Sequence, residues 1–307
     1  MGTLKLKSGF SPAVWGALVG VLAIGIVQFF TANLGGTGLI QPISGSFFSF
    51  IVHYFGFFFT QLPGLIVLGA TILFYVVATI SVQGASGDEP DLTAVMRGLL
   101  IGIGSAMNGI LAYNIYGVWF GQTVGIVIAA VLFVLALISA FSDVSESGFY
   151  QGVIGWLCWL APMSWPVVGV GLILFVLSFV LGLVGLAGVD LFKVGGDANA
   201  APSVAGYIMQ FNWATGTFFL VGGFVGNANP GKTAFNMGNI GFIHRQNSQD
   251  DRGHESGHNL SLFVFGWIVH YIGAFDENVV GYGAQAFTEL LAESHASRGG
   301  AELDMWA

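Results

Sequence analysis

The sequence predicts a mainly α-helical integral membrane protein with five or six transmembrane helices, followed by a small α+β C-terminal domain with a metal site on two helices. Of the 307 residues, 55% are hydrophobic and only 8% are charged, which is far from the composition of a soluble domain. Long apolar segments fill the first 189 residues, and most of the charge lies after them. We therefore expect a transmembrane domain over 1–189 and a membrane-surface domain over 190–307.

The transmembrane helices are predicted from runs of about 20 apolar residues, the length that crosses a bilayer. The first run, 11–34, follows Lys5 and Lys7 and has no evident small-residue cleavage site after it. It is predicted to be an uncleaved anchor with a cytoplasmic N-terminus. Four further spans are predicted at 62–83, 96–120, 123–142 and 166–189.

Segment 46–60 decides the predicted topology. As a helix this segment would reach only ~22 Å, so it is either a short span or a re-entrant or interfacial piece. Five spans would place the C-terminal domain outside the cytoplasm, and six would place it inside. The expected location is the cytoplasmic membrane of a prokaryote, with the side of the C-terminal domain left open.

Charge and cysteine content narrow the function classes. A formal net charge of -8 without a basic cluster argues against nucleic acid as a partner. The single cysteine, Cys158, cannot form an intramolecular disulfide or a cysteine zinc cluster, and we expect it to be a small buried hydrophobic residue. No Asp, Glu, Lys or Arg lies deep in a predicted span, which argues against an ion-coupled transporter.

Glycines recur in three of the predicted spans. Small residues let helix backbones approach closely, either within one bundle or between partner subunits. The glycines concerned are Gly16, Gly20, Gly102, Gly104, Gly109, Gly182, Gly185 and Gly188.

The C-terminal domain is predicted to begin with strands and to continue into helices. Residues 206–226 alternate loosely, and 232–245 is predicted to be a returning strand after an NPG turn. Asp250 or Asp251, in a polar loop, would cap the next helix. The apolar run 260–275 is short for a span and is expected to pack against other helices or to lie at the interface.

The motif HESGH at 254–258 carries the strongest chemical signal. On a helix, residues four apart are turned by only about 40° from one another, so His254 and His258 project from one face and can bind one metal ion. In this arrangement two neutral imidazoles bind Zn²⁺, and the glutamate, Glu255, takes a proton from metal-bound water.

A hydrolytic zinc site requires a third protein ligand. Residues 287–297 are predicted to form a helix on which Glu289 and Glu293 share a face, whereas His295 lies about 120° from Glu289. Glu289 is the preferred third ligand, with Glu293 as an acceptor that orients an imidazole. Glu293 or His295 as the third ligand remains an alternative.

HESGH followed by a helix bearing TELLAE resembles the gluzincin type of zinc metallopeptidase, over residues 254–293 only. The HExGH core is similar to that of membrane-associated peptidases. The resemblance implies His254, His258 and Glu289 as zinc ligands and Glu255 as the general base. It implies a membrane-bound peptidase that uses zinc-activated water on peptides or membrane proteins.

A second function class stays open beside the peptidase. A non-catalytic subunit of a membrane complex, with a structural metal and glycine-rich packing surfaces, would keep the same ligands. The small extramembrane region and the lack of an obvious substrate-binding signature favour this alternative. Membrane lipids are expected partners in both cases.

Three features outside the motif complete the expectations. His270 is expected to pack or to lie at the interface. His244 could reach the site from a strand but is not a preferred site residue. The turn with Asp276 and Glu277 is expected to be a solvated loop.

Overall fold

A computed structural model describes residues 12–33, 47–83, 85, 87–141, 144, 147–183, 193–194, 207–228, 233–247, 252–281, 283 and 286–296. The described chain is mostly helical and contains a small mixed sheet. The helices are α1 (Pro12–Asn33), α2 (Phe47–Thr60), α3 (Leu62–Val82), α4 (Asp91–Phe120), α5 (Gln122–Ile138), α6 (Gly148–Cys158), α7 (Trp165–Leu183), α8 (Gly223–Asn227), α9 (Arg252–Phe265), α10 (Trp267–Phe275) and α11 (Phe287–Ala296). A π-helical turn, Asp276–Val280, follows α10. The strands are β1 (Lys193–Val194), β2 (Tyr207–Asn212), β3 (Thr217–Gly222), β4 (Ala234–Asn236) and β5 (Ile240–Ile243).

The chain divides into two compact units. The first comprises Met1–Ser145, Ala161–Met163 and Val264–Leu290, and the second comprises Glu146–Leu160, Ser164–Phe263 and Leu291–Ala307. Helices α9 and α11 each run continuously through a division point. The predicted domain boundary at 189–190 lies outside the described residues and stays a prediction.

Three described helices are long and apolar enough to cross a membrane, which does not support the predicted five or six spans. They are α1 over Pro12–Phe29, α3 over Leu62–Val82 and α4 over Asp91–Phe120. The predicted span 123–142 is shorter because α5 ends at Ile138, where the N–H groups of Ser139 and Ala140 bond to carbonyls three residues back. Within α7, Trp165–Ser178 is a shorter apolar helical stretch.

Segment 46–60 was predicted to be either a short span or a re-entrant or interfacial piece. It contains the 14-residue helix α2. Its residues Tyr54, Phe57 and Phe58 are buried. The Tyr54 hydroxyl donates to the Pro162 carbonyl at 3.1 Å, and the Phe58 ring meets the Trp267 ring edge-on with centroids 5.3 Å apart. This short helix therefore packs into the first unit along one face.

Helices α1 and α4 meet at glycines. A Cβ at Gly16 would collide with the Val95 carbonyl oxygen, and a Cβ at Gly102 would collide with that of Ala17. Gly104 lies equally close to the backbone of Val264. These glycines serve contacts within the chain, as expected for small residues in packed membrane helices. Of the other predicted glycines, Gly185 and Gly188 lie outside the described residues.

The first unit also holds a buried ion pair. Arg97, near the start of α4, donates through Nε to Glu89 Oε1 at 2.9 Å and through Nη2 to Glu89 Oε2 at 3.0 Å. Both side chains are almost fully buried. The bidentate geometry satisfies both charges in a site that water does not reach.

The second unit contains the sheet, in the order β1-β2-β3-β5-β4. Strands β1 and β2 are parallel, as are β3 and β5, whereas β2 with β3 and β4 with β5 are antiparallel. Its core is formed by Leu220, Ile240 and Phe242, covered in part by Leu174 and Phe175 of α7.

The strand prediction was wrong in its boundaries. Residues 207–227 form a hairpin and a short helix, because β2 ends at Asn212 and a turn, completed by Gly216 with a φ of +63°, leads into β3. The predicted returning strand is two strands, β4 and β5, with Gly238 at a φ of +67° between them. Glycine adopts such left-handed conformations without a steric penalty, and hydrophobic alternation alone does not reveal them.

Candidate metal centre

Helix α9 carries the HESGH motif in its first two turns. It begins at Arg252, and its last residues, Leu260 to Phe265, are buried and mainly apolar. The helix ends where Gly266 adopts a φ of +80°, and α10 follows at once. The predicted run 260–275 is therefore two helix segments, and its burial agrees with packing inside the protein. Asp250 and Asp251, the predicted caps, lie outside the described residues.

The two motif histidines face each other. The distance from His254 Nε2 to His258 Nε2 is 3.2 Å, and the ring planes are 88° apart. Two nitrogens at about 2.05 Å from one zinc ion and 3.2 Å from each other subtend about 100° at the ion, close to the tetrahedral angle that zinc adopts. The imidazole pair thus fits two ligands of one ion.

Glu289 completes a three-residue group. One ligand atom from each of His254, His258 and Glu289 lies within 4.8 Å of the others. His258 and Glu289 are 9% and 8% exposed, so their donor atoms are held in a region of low dielectric constant. Two imidazole nitrogens and a carboxylate oxygen are a donor set that zinc favours. The residues present therefore fit this ion.

The alternative third ligands are on the same helix as Glu289. Glu293 and His295 belong to α11, but their side chains lie outside the described part of the chain. His254, His258 and Glu289 come together. The roles of the predicted site residues in binding a metal and in catalysis stay predictions.

Glu255 lies beside this group and not within it. Its side chain is 3% exposed, and its main-chain carbonyl accepts a hydrogen bond from Asn236 Nδ2 at 2.9 Å. A Cβ built at Gly241 on β5 would lie 3.8 Å from the Glu255 Cβ, so Glu255 is on the sheet side of α9. Its role as the proton acceptor stays a prediction.

Gly257 allows α9 and α11 to approach closely. A Cβ at this position would lie 2.6 Å from the Ala292 carbonyl oxygen and 3.2 Å from its Cα. Since real side-chain carbons do not approach a carbonyl oxygen so closely, a larger residue would push the helices apart. The glycine in HESGH is therefore required by packing.

A buried network of amides and hydroxyls holds α9 on the sheet, and sequence reasoning missed it. Asn236 Nδ2 donates to Asn259 Oδ1 at 3.2 Å, and Asn259 Nδ2 donates to Thr217 Oγ1 at 2.6 Å. The Thr215 and Ser256 hydroxyls lie 3.4 Å apart. The sequence feature that could have predicted this network is the pair Ser256 and Asn259, two polar residues three apart on the buried face of α9.

Asp276 contradicts the expectation of a solvated turn. It is 5% exposed, whereas Glu277 accepts from Asn278 at the surface. The π-helical turn directs the Asp276 carboxylate inward, where the Tyr75 hydroxyl donates to it. His270 is half-buried. His244 Nδ1 accepts from the Gln246 amide at 3.0 Å and is not part of the three-residue group.

The fold and the site define a class: a mostly helical protein with three membrane-length apolar helices and a His–His–Glu group suited to a metal ion. No protein family, curated protein or solved structure matches the chain. The function proposed below is therefore inferred from the geometry of the site.

Proposed function

We propose that the protein is a membrane-bound, zinc-dependent peptidase of the gluzincin type. The observation that carries this proposal is the meeting of His254, His258 and Glu289, with Glu255 beside them on the same helix as the histidines. The spacing of these residues on two separate helices predicts the same group. Convergence of two imidazoles and a carboxylate is what a hydrolytic zinc site needs.

The chain's own residues supply binding and proton transfer. Bound zinc would lower the pKa of a coordinated water and polarise the scissile carbonyl. His254, His258 and Glu289 would hold the ion, leaving a fourth position for water or substrate. The Glu255 carboxylate would accept the proton of the attacking water and pass it to the leaving amine.

We propose that the site acts at the membrane surface on peptides or membrane-anchored chains. Helices α1, α3 and α4 would cross the bilayer. Exposed apolar residues also lie on α5, at Ile126 and Val127, and on α7, at Ile173 and Val176, which supports further crossings. We place the protein in the cytoplasmic membrane of a prokaryote, with lipids as its permanent partners.

A second candidate is a non-catalytic membrane subunit with a structural metal. The low exposure of His258 and Glu289 favours it, since a peptidase must admit a substrate to the metal. A cavity of about 770 Å³ is lined by apolar residues including Trp156, Trp159 and Trp213. None of its lining residues is a predicted metal ligand.

Metal content and peptide turnover of the full chain in detergent test the proposal. We expect about one zinc per chain in the wild type and in Glu255→Gln, and loss of the metal in His258→Ala. Turnover should fall by at least about 100-fold in Glu255→Gln, since that variant removes the general base. Zinc without turnover in the wild type would favour the structural subunit, and absence of metal from all three proteins would overturn both.

A further inference from the structure

A buried carboxylate begins the π-helical turn after α10. Asp276 is 5% exposed, while Val279 and Val280 in the same turn are 66% and 58% exposed. The Gly281 amide donates to the Asp276 carbonyl at 3.1 Å, and Gly281 ends the turn in a left-handed conformation. Turns with this wider hydrogen-bond spacing are rare and are frequent at functional sites.

Helix α3 supplies the hydroxyls that face this carboxylate. The Tyr75 hydroxyl donates to Asp276 Oδ2 at 2.9 Å, and the Thr79 hydroxyl donates to the same atom at 3.4 Å. Tyr75 and Thr79 are four residues apart and share one face of the helix. Both are almost fully buried. A membrane-length helix is thereby bonded to the turn.

The same elements contact the two residues that precede Glu289. The Tyr75 ring packs edge-on against Phe287, with centroids 5.9 Å apart and planes at 72°. A Cβ at Gly273, three residues before Asp276, would collide with the Thr288 side chain. Phe287 and Thr288 form the start of α11, so the first turn of the Glu289 helix is held by α3 and α10.

We propose that Tyr75 and Asp276 are positioning residues that fix the Glu289 carboxylate for metal binding. The proposal rests on the metal site of the proposed function, but not on catalysis. Metal–ligand distances tolerate only about 0.2 Å. A shift of the first turn of α11 would carry Glu289 out of range, because Glu289 directly follows the two packed residues. The Tyr75–Asp276 bond opposes that shift by fixing both sides of the contact.

Zinc affinity of the full chain, measured by competition with a chelator, tests this role. Tyr75→Phe removes the hydroxyl and keeps the ring against Phe287, and Asp276→Asn keeps the shape of the side chain. We expect each variant to bind zinc about 10- to 100-fold more weakly, the usual effect of losing a residue that orients a ligand. The matched control is Thr71→Val, because Thr71 is buried on the same helix and its hydroxyl donates to the Val67 carbonyl within that helix. Its zinc affinity should change less than about twofold.

A double-mutant cycle separates positioning from a general loss of structure. In a Glu289→Gln background, the added Tyr75→Phe change should weaken zinc binding no further, because its effect passes through Glu289. The cobalt-substituted protein should show the same altered visible spectrum in Tyr75→Phe as in Glu289→Gln. An equal loss in both backgrounds, or wild-type affinity in Tyr75→Phe, would overturn the positioning role.

The two proposals fail in different ways. Zinc binding without turnover would count against the peptidase and leave the positioning role supported by the cycle. Zinc binding that is indifferent to Tyr75 and Asp276 would remove the positioning role and leave the peptidase. A wild-type chain that binds no zinc would overturn both.

Discussion

The helices of the first unit pack against one another through one kind of interaction. Within the second unit, helix α9 is held on the sheet by another kind. Between α1 and α4, backbone meets backbone at Gly16 and Gly102. Between α9 and the sheet, side-chain amides and hydroxyls bond in a chain through Asn236, Asn259 and Thr217. In lipid, close packing replaces the hydrophobic driving force between helices, whereas directed hydrogen bonds fix one orientation of a helix.

The contrast separates stability from site geometry. The packing glycines between α1 and α4 and the Arg97–Glu89 ion pair should govern the stability of the fold, with little effect on a bound metal. The contacts that position α9 and α11 should affect the metal affinity more than the stability of the fold. Substitutions in each region, paired with controls of the same chemistry, test this separation.

The largest expected effect follows from breaking the buried ion pair. Glu89→Gln leaves the Arg97 charge without its partner, and removal of one partner of a buried pair costs about 3–5 kcal/mol. We expect a matching fall in the free energy of unfolding in detergent. The control is Asp88→Asn, because Asp88 is its exposed neighbour. A drop no larger than that of the control would show that the pair is dispensable.

Gly16→Ala should destabilise the contact between α1 and α4 by about 1–3 kcal/mol, the usual cost of overpacking. The added methyl would meet the Val95 carbonyl. Gly25→Ala on the same helix is the control, because a Cβ there has nothing within 4 Å. Equal unfolding free energies for the two variants would contradict the close packing of α1 against α4. A change in the zinc content of Gly16→Ala would contradict the claim that this packing affects stability and not the metal site.

Gly257→Ala should act on the site more than on folding. The methyl would displace the Ala292 backbone and with it the helix that carries Glu289. We expect zinc affinity to fall about tenfold, the lower end of the effects seen when ligand support is lost. Gly169→Ala is the control, since its Cβ would meet nothing within 4 Å. Chelator competition on both variants measures the difference.

The smallest expected effect concerns Cys158. Burial raises the pKa of the Cys158 thiol to about 12, so the thiol stays protonated and hidden at pH 8. Ionisation of this group would oppose folding only above about pH 8.5, where the unfolded thiol loses its proton first. We expect no labelling by N-ethylmaleimide in the native protein and complete labelling in dodecyl sulfate. Rapid native labelling would show that α6 is open at this point.

Part of this structure follows from sequence patterns, and part depends on distant contacts. Apolar run lengths predicted helices, and the four-residue spacing of HESGH predicted that His254 and His258 share a face. The spacing of acidic residues on the next helix led to Glu289, which does come near them. These are local properties of one or two helices, so the sequence contains them directly.

The remaining features require partners far along the chain. The hydrogen bond between Tyr75 and Asp276 joins residues 201 apart in sequence. The sequence around Asp276 and Glu277 does not indicate that Asp276 is buried. The hairpin turns depend on left-handed glycines that resemble any other glycine in a glycine-rich chain. The network around Asn259 forms only when β3 and β4 lie under the helix.

The most direct test of the central claim is zinc X-ray absorption on the purified full chain, wild type beside Glu289→Gln. We expect one zinc per chain with imidazole scattering from two histidines and a carboxylate oxygen at about 2.0–2.2 Å, and an altered oxygen contribution in Glu289→Gln. Zinc with fewer than two imidazoles, a first shell unchanged in Glu289→Gln, or no bound zinc would contradict it.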